Sequence, residues 1–172
     1  MRAQLGSLAL SLILVACAPG EDTLPQLGVD INETSVSGLS AGAYMAGQLQ
    51  VAHSEHIIGA GLVAGGPYGC AETPGNELLP TAARNFNRAL EGCMSDKLRS
   101  QGIPDVRALA DQAEDLAEDS SIDALTGLGK DRVYLFSGGK DHVIARSVVE
   151  AAQRFYREVG VPKENIVFVS GI

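Results

Sequence analysis

The pentapeptide Gly38-Leu39-Ser40-Ala41-Gly42 constrains this chain more than any other stretch. Before it, Thr34-Ser35-Val36-Ser37 carries a β-branched side chain at every other position, as a short strand does. After it, residues 41–52 are rich in helix formers and contain no proline. Ser40 therefore falls where a strand turns sharply into a helix. Gly38 and Gly42 are expected to leave the room such a turn needs on either side. This is the layout of a nucleophile elbow. It raises the Ser40 hydroxyl at the carboxyl end of the sheet and aims the first N–H groups of the helix, beginning with Ala41, at the place where an oxyanion forms. The pattern alone recurs by chance, and the strand before it and helix after it are what make it specific.

The rest of the composition narrows the partners. The 172 residues are 45% hydrophobic and 20% charged, enough for one core in one domain. A net charge of −8 leaves no basic stripe for nucleic acid. Between positions 105 and 123, seven carboxylates accompany only Arg107, which reads as a solvated helix face. A calcium loop would need alternating oxygen ligands around a central glycine, and that pattern is missing.

Residues 1–18 read as a targeting segment, with Arg2 as the positive start and residues 5–15 as an apolar stretch too short to anchor stably across a bilayer. Export follows. Leu14-Val15-Ala16-Cys17 resembles a bacterial lipobox, in which Cys17 becomes lipidated, while Ala16-Cys17-Ala18 also fits ordinary cleavage. A membrane association is expected only through such a lipid anchor. Residues 19–28 read as a linker and 29–172 as the N-terminal part of a catalytic domain. Removing Cys17 leaves Cys70 and Cys93 as the pair available for a disulfide.

Along the chain, residues 57–66 form an apolar run ended by glycines, read as a strand buried on both faces of a parallel sheet. Gly65-Gly66-Pro67-Tyr68-Gly69-Cys70 would then form a loop on the Ser40 rim, with Tyr68 either lining a cleft or packed in the turn. Residues 77–123 suggest two helices broken near Gly102-Ile103-Pro104, with Leu90, Met94 and Leu98 on one face of the first and Leu109, Ala113 and Leu116 on the second. They carry no identifiable chemistry. Residues 132–137 read as a strand, 144–159 as a helix and 165–170 as another strand. The alternation implies an α/β fold with a parallel sheet. Asp141 then lies on the Ser40 rim and after it in sequence, where the acid of a Ser, Asp, His triad stands.

The imidazole is harder to find. A serine hydroxyl needs a base, and a carboxylate must orient that base. Of the three histidines, His142 adjoins Asp141 and diverges from it, while His53 and His56 lie at the far end of the Ser40 helix, roughly 20 Å away. None suits, and His53 with His56 lacks a third ligand for a metal. Neither a metal nor a cofactor is expected. The histidine is expected after the last strand, so the chain reads as an N-terminal fragment.

Ser35-Val36-Ser37-Gly38-Leu39-Ser40-Ala41-Gly42-Ala43-Tyr44-Met45-Ala46, with Ala64-Gly65-Gly66-Pro67-Tyr68-Gly69-Cys70-Ala71, resembles the extracellular poly(3-hydroxybutyrate) depolymerases whose lipase box lies near the N-terminus. The likeness spans about residues 29–172. It implies an incomplete, circularly permuted α/β hydrolase with Ser40 as nucleophile, Asp141 as triad acid and Ala41 as an oxyanion donor. The substrate implied is a polyester or small ester. Two rivals share these residues: another exported serine esterase or peptidase, and a non-catalytic surface lipoprotein of hydrolase fold.

Overall fold

The computed structural model describes residues 25, 27–72, 81–95 and 105–171. The targeting segment, Cys17 and Leu98 lie outside them. The elements alternate: β1 Thr34–Leu39, α1 Ala41–Ala52, β2 Ile57–Val63, α2 Thr81–Glu91, α3 Val106–Glu118, β3 Arg132–Ser137, α4 Arg146–Glu158 and β4 Ile166–Ser170. Short 3-10 turns at Ile31–Glu33, Leu125–Lys130 and Lys163–Asn165 lead into β1, β3 and β4. The first of these is capped by the Asp30 side chain, which accepts from Asn32 N–H.

The four strands form one sheet in the order β1-β2-β3-β4, every pair parallel. Parallel neighbours in register share a face, so one row runs Gly38, Leu62, Leu135, Phe168 and another Val36, Ala60, Val133, Ile166. Leu62 and Leu135 have no exposed surface and Val133 has 2%. Against this face pack α1 and α4 through Val51, Val148, Ala152 and Phe155, and α3 packs on α4, adding Leu109 and Ala113 to the same core.

The other face behaves differently. Leu39, Ile58, Tyr134 and Val167 are exposed on it. The expectation that residues 57–66 are buried on both faces is therefore corrected: the strand ends at Val63, and among the described residues only its Ala60 and Leu62 side meets helices. An apolar run this short reads alike whether one or both of its faces are covered. Among the described residues β1 pairs with β2 alone and forms an open edge.

Helix boundaries also shift. α2 stops at Glu91, because Gly92 and Cys93 turn back to donate to the Arg88 carbonyl at 2.8 and 3.1 Å, which leaves Met94 beyond the helix. α3 begins where Asp105 accepts from Arg107 and Ala108 N–H, one carboxylate of the acidic run serving as an N-cap. Leu109 and Ala113 are buried and Leu116 half-buried, as their spacing predicts.

Candidate active site

All four carboxyl ends of the parallel strands open on one rim, and Ser40 sits at the tip of β1 with φ 53° and ψ −119°. Residues with a β-carbon rarely occupy that region, and holding one there costs about 1–3 kcal/mol. Two sets of bonds hold it. Ser40 N–H donates to the Val63 carbonyl at 2.9 Å, extending the β1–β2 ladder by one residue. The Ser40 carbonyl accepts from Ala43 and Tyr44 N–H at 2.9 and 3.1 Å, which starts α1 at once. The hydroxyl makes no capping bond to its own helix.

The expected crowding around the turn is one-sided. A β-carbon at Gly38 would fall 2.1 Å from the Gly42 carbonyl carbon, so the strand end folds directly against the first turn of α1. Among the described residues, a β-carbon at Gly42 would meet nothing within 4 Å. It is the backbone of Gly42, not the space beside it, that forces glycine at 38.

Beside Ser40 lies a cleft of about 580 Å³ lined mainly by apolar groups, among them Met45, Ala89, Met94 and Ile144. Gln48 and Glu72 add polar edges. Tyr68 does not contribute. It is buried and stacks on Phe155 with ring centroids 6.0 Å apart, so it is the packed turn tyrosine and not a cleft residue. Its neighbours Gly69, Cys70, Ala71 and Glu72 line the cleft instead.

Cys70 and Cys93 are disulfide-bonded, with Cα atoms 5.9 Å apart, and both border the cleft. The segment from Cys93 to Met94 is held from three sides. Tyr44 Oη donates to the Cys93 carbonyl, the disulfide reaches the loop after β2, and the Met94 carbonyl accepts from Ala145 N–H at 2.8 Å. Arg88 Nε adds a bond to the Cys70 carbonyl at 3.0 Å. The region expected to carry no chemistry is thus one wall of the cleft. Burial pushes the Tyr44 phenol above its usual range, so it remains a donor. The wall residues Met45 and Gln48 follow Ala41 at helical spacing, and Met45 is exposed one turn past the elbow.

Asp141 follows β3 on the same rim, half-buried. Its N–H donates to the Gly138 carbonyl at 3.2 Å, and its Oδ1 accepts from Val143 and Ile144 N–H at 2.8 and 3.0 Å. One oxygen thus fixes the carboxylate's orientation. No hydrogen bond joins it to Ser40. Between their strands lies β2, and two inter-strand spacings amount to about 10 Å. His142 is exposed beside Asp141, His53 closes the far end of α1, and His56 lies in the turn before β2. None of the three lines the cleft. Among the described residues no group of three or more His, Cys, Asp or Glu side chains is placed to hold a metal ion, and no helix is long and apolar enough to cross a membrane.

No protein-family model matches the chain. Across its whole length it is 35% identical to a poly(3-hydroxybutyrate) depolymerase of Delftia acidovorans, and over 83% of its length it is 30% identical to a polyhydroxybutyrate depolymerase of Talaromyces funiculosus. It spans 32% and 36% of those two proteins, about a third of each. Among solved structures, the PHB depolymerase of Penicillium funiculosum superposes with a TM-score of 0.65 at 26% identity, over 83% of this chain and 38% of that one. A PHB depolymerase complexed with an R3HB trimer superposes with the same values. The parallel sheet with its flanking helices is therefore α/β-hydrolase-like, and it corresponds to part of that fold.

Proposed function

We infer that this chain, a relative of the poly(3-hydroxybutyrate) depolymerases along its whole length and in its fold, is the nucleophile-bearing part of a serine-dependent ester hydrolase acting on polyhydroxyalkanoate. The observation that carries the reading is the backbone of Ser40, a non-glycine residue kept at φ 53° with an uncapped hydroxyl at the edge of an apolar cleft. Strain of this kind clusters at active sites, where the surrounding structure holds it in place. The R3HB trimer bound by a PHB depolymerase supports an oligoester of 3-hydroxybutyrate as the ligand.

In the proposed reaction the Ser40 hydroxyl attacks the ester carbonyl while an imidazole takes its proton. Ala41 N–H, at the start of α1, stabilises the oxyanion. Collapse of the tetrahedral intermediate expels the alcohol end of the ester, which takes the proton from the imidazolium, and leaves an acyl-enzyme on Ser40. Water, deprotonated by the same imidazole, then releases the acid and restores the hydroxyl. Asp141 is assigned to orient the imidazole across the gap over β2. None of the three histidines is suited to this step, so the base is assigned to polypeptide outside these 172 residues. By themselves the 172 residues are predicted to be nearly inactive, since loss of a triad histidine costs on the order of 10⁶ in turnover.

The disulfide supports an exported protein, because such bonds persist in oxidising compartments. Residues 1–18 are proposed to direct that export, with Cys17 as the site of any lipid anchor. The test is hydrolysis by the gene product containing this chain, comparing R3HB trimer with short aryl esters and peptides. Preference for the trimer is expected. Turnover of aryl esters or peptides alone would reassign the substrate, and absence of all turnover would make the chain a binding module.

A further inference from the structure

At the end of the sheet opposite Ser40, three side chains that the proposed chemistry does not use meet inside the core. Gln50 lies near the far end of α1, Asp131 immediately before β3 and Tyr156 near the end of α4. Gln50 and Asp131 have no exposed surface, and Tyr156 has 2%. Gln50 Nε2 donates to Asp131 Oδ2 at 3.0 Å. The other atom of each group, Gln50 Oε1 and Asp131 Oδ1, has no partner, and neither has Tyr156 Oη. The tyrosine hydroxyl lies against α1 one turn before Gln50, where a β-carbon on Gly47 would come 3.5 Å from it.

Satisfying these atoms requires one more donor than the side chains hold when Asp131 is ionised. An amide oxygen and a carboxylate oxygen are both acceptors and cannot bond to each other. The single hydroxyl of Tyr156 can serve only one of them. The carboxylate would also be a charge sealed from water with one amide N–H upon it, an arrangement that interiors avoid. A proton on Asp131 Oδ1 removes both faults. A carboxylic acid presents one donor and one acceptor edge, matching the acceptor and donor edges of a primary amide.

We propose that Asp131 is a carboxylic acid in the folded protein and forms a neutral pair with Gln50, its Oδ1–H donating to Gln50 Oε1 while Gln50 Nε2–H donates to Asp131 Oδ2. The pair is a buried proton-binding site that ties the far end of the Ser40 helix to the start of β3. Burial pushes the Asp131 carboxyl above the ordinary carboxylate range, against the opposing pull of the Gln50 bond and of Lys130. Lys130 and Arg132, the charged neighbours in sequence, are both exposed. Tyr156 is the other titratable group facing the site among the described residues, and burial holds its phenol protonated.

The sign follows from linkage. A carboxyl whose folded pKa lies above its unfolded value contributes most stability in acid, below the unfolded value near 3.8. That contribution falls as pH rises toward the folded value and stays lost above it.

The experiment uses the 172-residue chain with ¹³C-carboxyl aspartate, titrated by NMR from pH 3 to 9, alongside Asp131→Asn. Asparagine offers the same donor and acceptor edges to Gln50 without a proton to lose. We expect one aspartate resonance to remain in its protonated position well above the ordinary range and to be missing from the variant. The difference in melting temperature, wild type minus variant, should fall as pH rises. Titration of every aspartate in the ordinary range would overturn the proposal even if the variant fails to fold. So would a variant whose deficit grows toward alkaline pH, since the charged form would then be the one the fold needs. Neither result bears on the hydrolase reading.

Discussion

Ser40 N–H donates to the Val63 carbonyl at 2.9 Å, one residue beyond the last paired positions of β1 and β2, Leu39 and Val63. That bond makes the elbow an extension of the sheet. It also fixes the Ser40 backbone, so the strain there is borne by the ladder and by the first turn of α1.

Relieving that strain should be measurable. Ser40→Gly is expected to stabilise the chain by about 1 kcal/mol in urea unfolding, within the 1–3 kcal/mol that a strained non-glycine position costs. In the gene product containing this chain the same change removes the hydroxyl, and the proposed function predicts loss of turnover. A destabilised glycine variant would mean that the backbone at 40 is relaxed.

The two glycines of the elbow should respond oppositely to alanine. Gly38→Ala places a β-carbon 2.1 Å from the Gly42 carbonyl carbon. No flexible side chain is there to yield, so a loss above about 3 kcal/mol or failure to fold is expected, at the upper end of single-site effects. Gly42→Ala meets open space among the described residues and lies in the first turn of α1, where helix propensity favours it by up to about 1 kcal/mol. Equal losses at both positions in thermal melts would contradict this.

Reducing the Cys70–Cys93 bond should cost about 3.5 kcal/mol, the chain-entropy value for a loop of about 24 residues. Because the segment it holds also bonds Ala145, hydrogen exchange at Ala145 N–H should accelerate on reduction. An unchanged exchange rate there would show that the cleft wall and the loop following Asp141 are independent.

Tyr44→Phe removes only the hydroxyl that donates to the Cys93 carbonyl. A loss of about 1 kcal/mol is expected for one hydrogen bond. Faster exchange at Ala145 N–H should accompany it through the same segment. A stability loss with unchanged exchange would confine Tyr44 to packing against Gly66.

How much of this was legible in the residues follows from the range of the forces involved. The elbow was readable because its demands fall within a few positions, and glycine answers them at 38. The parallel sheet was readable because apolar runs alternate with helical periods. The cleft wall was not, since it depends on Tyr44 reaching Cys93 across 49 positions and on a backbone bond between Ala145 and Met94. Tyr68 was open to two readings because its position on the rim leaves its direction undecided, and Phe155 determines it. The Gln50–Asp131 pair, 81 residues apart, carries no local pattern.

The most direct test is covalent labelling of the gene product containing this chain with a fluorophosphonate, followed by peptide mapping. The account predicts one modified residue in the described region, Ser40, and no labelling there after Ser40→Ala. A folded protein that resists the probe, or one that carries the label on another residue when Ser40 is intact, would contradict it.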